Sequence, residues 1–154
     1  MRHRKSRRDA REIALKTLYQ IAVAHVDQAD ALSAAVDDAN PERREAGNWD
    51  LQLAYARRII QGVLQGSDDF DASIARYARD WDPDRMPTID HILAHIALYE
   101  LMHETETPYR VVIDEAVELA KQFSTDESGG FINGVLGSWV RAEGPEAPGH
   151  EKGE

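Results

Sequence analysis

The chain has 154 residues, of which 42% are hydrophobic and 30% charged, and a formal net charge of −10. That is enough chain for one domain with a real core. It has no cysteine, which excludes disulfides and thiolate metal sites, and no apolar run approaches the length of a membrane-spanning helix.

The charge is unevenly placed. The stretch "MRHRKSRRDARE" carries +4, so the remaining 142 residues carry −14. An acidic body disfavours non-specific adhesion to polyanions, while a basic arm holds one locally. No apolar stretch of signal-peptide type follows the charges, which predicts a cytoplasmic location.

In chain order, Ser6 reads as the cap of a first helix, with Asp9 three residues on. Ile13, Leu18, Ile21 and Ala22 share one face of it, and it runs to about His25. A weaker helix over 28–39 ends at Asn40-Pro41, and 41–48 is a polar loop. A third helix runs from about Asp50 to Gln65. Gly66 reads as its stop and Ser67 as the cap of a fourth, which carries Phe70, Ile74, Tyr77, Ala78 and Trp81. "DPDRMP" is a turn. Thr88 caps a fifth helix, Pro108 begins a sixth ending near Phe123, and a seventh runs from about Ser128 to Ala142. The predicted fold is all-α, with about seven helices and short loops. Residues 1–142 form one domain, and 143–154 a disordered acidic tail.

Standard catalytic signatures are absent: no phosphate loop, dinucleotide fingerprint, nucleophile elbow or HExxH. His91, His95, Tyr99 and His103 recur every four residues in "DHILAHIALYELMH". Two histidines at that spacing suit zinc, but no third ligand is evident from another element, so no metal is expected. The plainer reading is a polar helix edge. In "SGGFINGVLG", Gly134 reads as a close helix approach. Gly129 and Gly130 are either packing positions or bare backbone near a helix start for a phosphate. Phe131 is either core or an exposed ring on which a base stacks. Arg4, Arg7, Arg8 and Arg11 share a helical face if the first helix extends that far.

The segments "RRDAREIALKTLYQ", "IDHILAHIALYEL", "TPYRVVIDEAVELAKQFS" and "FINGVLG" occur in that order. Together they resemble the NusB family of bacterial transcription antitermination factors, over about Arg7 to Val140. The resemblance implies two packed helical subdomains and no catalysis or cofactor. It implies binding to boxA, a single-stranded RNA element of nascent ribosomal transcripts, with the ribosomal protein NusE as partner. Other Nus factors and RNA polymerase are then reached indirectly. By resemblance Arg7, Arg8, Arg11, Glu127 and Phe131 are RNA-contacting, and Arg4 joins them by phase. Tyr19 and Asp90 match partner-interface positions. Family members often carry Arg where this chain has His91 and His95, Lys at Gly130 and Asp at Gly137, so the histidine stripe also reads as softened basic positions, a reading preferred to metal.

Two rivals stand beside this. A similar domain forms the N-terminal part of some ribosomal RNA cytosine methyltransferases, but this chain lacks their catalytic domain and nucleophile. A self-associating structural protein, a homodimer that hides its RNA surface, is the other. The RNA reading requires the arginines and Phe131 to share one exposed surface.

Overall fold

The computed structural model describes residues 2–39, 41–45, 47–78, 82 and 86–144, with side chains from Arg7 onward except that of Arg43. Its helical segments are α1 (Arg2–Ala24), α2 (Gln28–Asp37), α3 (Pro41–Arg44), α4 (Trp49–Tyr77), α5 (Thr88–His103), α6 (Tyr109–Phe123) and α7 (Asp126–Glu143). Because α3 is a single turn of four residues, six longer helices, rather than seven, build the described fold.

The difference lies in α4, which runs unbroken through the predicted stop at Gly66. Ile59, Ile60, Val63, Phe70 and Ile74 are all buried. They recur at three- and four-residue steps with Gly66 in phase between them, so the stripe continues and the helix with it. The glycine serves packing here. A Cβ at Gly66 would lie 2.9 Å from the Phe70 ring.

Two smaller differences concern helix starts. Helix α1 begins at Arg2, so Ser6 lies inside it; Arg and Lys are good helix formers, and nothing before Ser6 breaks the run. Thr88 is the first residue of α5, and Pro87 occupies its cap position.

The chain divides into two compact units, one ending at Gln65 and the other beginning at Gly66. In the first, α1 packs on α2. His25, with φ 54°, turns the chain into the left-handed region and ends α1. Asp27 then caps α2 by accepting from the Ala29 N–H at 3.1 Å. Ala31 and Ala35 are the buried face of α2.

In the second unit α5, α6 and α7 pack pairwise on one another. Every residue of α5 from Ile92 to Glu100 is buried, the pattern of a helix surrounded by its neighbours. Ile132 and Leu136 of α7 are fully enclosed. Arg76 and Tyr77 of α4 both reach Glu143 of α7. Among the described residues no helix is long and apolar enough to cross a membrane. Trp81 and the tail from 145 on lie outside the described residues.

Candidate nucleic-acid interface

In the first unit the arginines of α1 fall into different environments. The Arg7 guanidinium lies over the Tyr55 ring of α4, 4.3 Å from its centroid. Arg58 lies 5.0 Å from the same centroid. Tyr55 is buried, so its ring is a fixed, electron-rich surface that draws both cations. Arg7 remains half-exposed and Arg8 is exposed. The Arg4 side chain lies outside the described residues.

Arg11 departs from expectation. It is 1% exposed, among the most enclosed large side chains. The helical face shared by Arg7, Arg8 and Arg11 rolls into the core at Ala10, Arg11 and Ala14. There the Ala10 N–H donates to Gln52 Oε1 of α4 at 3.0 Å. Arg11 is therefore a structural cation and not a surface contact. Tyr19, on the same helix, is half-exposed.

In the second unit α7 starts with a capping box. Thr125 accepts from the Ser128 N–H while the Ser128 side chain accepts from the Thr125 N–H. Ser128 Oγ also donates to Asp90 Oδ2 of α5 at 2.6 Å. Asp90 is 4% exposed. An enclosed carboxylate at the positive end of α7 is a clamp between two helices. The expected partner contact through Asp90 is thus corrected: it positions a surface and does not form one.

Glu127 is exposed and Phe131 half-buried, one helical turn apart on α7. The glycines sort differently from expectation. A Cβ at Gly129 would meet Val117 Cγ1 of α6 at 3.4 Å, so the close approach is there. Nothing lies within 4 Å of such an atom at Gly130 or Gly134, so Gly134 is not a packing position. Helix α7 begins at Asp126 with Asp126 and Glu127 in its first turn. That puts the amides of Gly129 and Gly130 inside the helical ladder, behind two carboxylates, which disfavours the phosphate reading.

The histidine stripe is a solvated edge only in part: His103 is exposed and His91 half-buried, but the middle of the stripe is enclosed. His95 is 4% exposed and Tyr99 8%, and Tyr99 donates to Glu104 at 2.7 Å. His91 and His95 both point Nε2 at Asp71 Oδ1 of α4, at 2.6 Å and 2.7 Å. Burial pushes the Asp71 carboxyl up, but the two histidine hydrogen bonds and their charges outweigh it and hold it below its ordinary range. Burial pushes His95 down, against the raising effect of Asp71. Asp71, Tyr55 and Gln52 were missed by sequence reasoning. Each acts across a gap of tens of residues that no local motif encodes.

The described residues define an all-helical protein of two compact units, with a basic leading helix on an acidic chain. The sequence profile of the NusB family matches residues 8–141. The transcription antitermination protein NusB of Symbiobacterium thermophilum is 40% identical over 141 residues, covering 88% of this chain and 90% of that protein. The solved NusB of T. maritima superposes with a TM-score of 0.73 at 30% identity, covering 91% of this chain and 94% of its own. A chain in the crystal structure of antitermination factors NusB and NusE in complex with dsRNA superposes with a TM-score of 0.74 at 21% identity, covering 90% and 98%. At that identity the last likeness speaks for the fold alone. The chain belongs to the NusB family. Its relatives are transcription antitermination proteins, so the family is one of transcription factors and not of enzymes.

Proposed function

We propose that this protein binds boxA-type single-stranded RNA in nascent ribosomal transcripts, with NusE as its protein partner, and so counters premature termination. The observation that carries this reading is family membership across residues 8–141. A protein of the same fold has been solved with NusE and dsRNA, and a NusE partner and an RNA ligand are in keeping with that. The curated relatives are antitermination proteins rather than methyltransferases, which favours this reading over the enzymatic rival. Other Nus factors and RNA polymerase are engaged through the complex, which works in the cytoplasm.

The RNA-facing set is Arg4, Arg7 and Arg8 of α1 with Glu127 and Phe131 of α7. Arginines supply attraction to phosphates, and the Phe131 ring supplies a stacking platform. Tyr19 faces the protein partner, where an aromatic with a polar tip suits a basic ribosomal protein on an acidic chain. Arg11 and Asp90 hold these surfaces in place from within.

If about three phosphates are neutralised, log K falls against log salt with a slope of about −2. Fluorescence titration with boxA-like RNA across a salt series measures this, and a flat response removes the arginines from the contact. Phe131→Ala weakens the same RNA by about 1–3 kcal/mol. Unchanged affinity in that variant returns the ring to an idle surface. Size-exclusion chromatography with and without RNA separates this reading from self-association.

A further inference from the structure

The group formed by Asp71, His91 and His95 is not used by the RNA reading. His91 and His95 are one helical turn apart on α5, and Asp71 comes from α4. Their ligating atoms all lie within 4.8 Å of one another. Both imidazoles present Nε2 to the same carboxylate oxygen. A single hydrogen bond would secure a buried histidine, and here two rings converge on one point.

The side chains around these three are packed as well. The Phe70 ring stands edge-on to His95, with centroids 5.6 Å apart. The two imidazoles meet at 4.3 Å and 78°. His95 is fully packed, while the His91 and Asp71 side chains keep 34% and 41% exposure. The cluster thus has a rigid inner wall and an outer side open to water. That suits a cation that enters from solvent and keeps a water ligand.

We propose that Asp71, His91 and His95 form a zinc site, with two imidazole nitrogens and one carboxylate oxygen as donors and water in the fourth position. This donor set is one that Zn²⁺ accepts, and two histidines four residues apart on a helix are a usual half of such a site. Zn–N and Zn–O bonds of about 2.0–2.2 Å place tetrahedral ligand atoms roughly 3.3 Å apart. The nitrogen–oxygen gaps of 2.6 Å and 2.7 Å must therefore widen by about 0.6 Å. A half-exposed aspartate swings that far by rotating about its own side-chain bonds. On binding, each Nε2 gives up the proton it shares with Asp71, to solvent or to Nδ1 of the same ring. The metal then ties α4 to α5 by coordination where hydrogen bonds tie them now.

The test uses the full chain, freed of metal by chelator and titrated with ZnCl₂ by calorimetry, with thermal melting alongside. The proposal predicts one Zn²⁺ per chain and a rise in melting temperature that chelator reverses. His91→Gln and Asp71→Asn each weaken binding about tenfold or more while far-UV circular dichroism stays helical, and His103→Gln leaves it unchanged. Should a variant lose its fold, ¹⁵N–¹H spectra of the wild-type imidazoles decide. Shifts of the His91 and His95 Nε2 signals that saturate at one equivalent support the site. No binding by the wild-type chain, undiminished binding in both variants, or imidazole signals that ignore zinc overturns it.

Discussion

Arg8 and Arg11 sit one turn apart on α1 and meet opposite environments. Arg8 is exposed, whereas Arg11 is enclosed. Arg8→Ala is therefore expected to weaken RNA of every sequence alike and to flatten the salt slope by about 0.7, with a smaller loss of melting temperature than Arg11→Ala. Arg11→Ala is expected to lower the melting temperature first, because it empties a packed position. Thermal melting beside an RNA titration distinguishes the two. At the same scale, both perturbed groups of the α4–α5 cluster make the metal-free fold acid-sensitive. His95 is held below its ordinary 6.5, so the unfolded chain takes up that proton first and stability falls as pH drops below about 6.5. Asp71 is held below 3.8, so its contribution persists above that value and is lost as pH falls through its lowered range. Urea melts in chelator are expected to show a decline in stability from pH 7 to pH 5 that His95→Gln reduces, provided the variant retains its helix content.

Helix α4 shows what a glycine means in context. Elsewhere Gly→Ala in a helix gains up to about 1 kcal/mol. At Gly66 the new methyl meets a Phe70 ring that is 2% exposed and has nowhere to go. Overpacking costs about 1–3 kcal/mol, so the clash outweighs the propensity gain and Gly66→Ala destabilises. Gly134→Ala, with open space around it, is expected to stabilise by about 0.5–1 kcal/mol. Denaturant midpoints of the two variants should move in opposite directions. The contrast also explains how far the sequence could be read. Apolar spacing located the long helices because period is a local property. Gly66-Ser67 looked like a boundary because those residue types often are one, yet the stripe through Ile59, Val63, Phe70 and Ile74 keeps its phase across them. The fates of Arg11 and Asp90 were hidden for a different reason. Charge suggests exposure, and what encloses them arrives from elsewhere in the chain, as with Ser128 for Asp90, 38 residues on. Asp71 was hidden likewise, since it lies 20 and 24 residues before the histidines it meets.

At the scale of the molecule, the chain combines a −14 body with a +4 leading segment. On the proposed function, this charge pattern draws RNA to the leading segment rather than to the acidic body, and a basic protein partner to the rest of the surface. The four sequence segments that pointed to the family span nearly the same residues as the family profile, 8–141. The most direct test is a titration of boxA-like RNA and a scrambled control, with and without purified NusE. Tighter binding of the boxA-like strand, strengthened further by NusE and weakened by Arg8→Ala and by Phe131→Ala, is the expected result. Equal affinity for both strands whether or not NusE is present, untouched by either substitution, would contradict it.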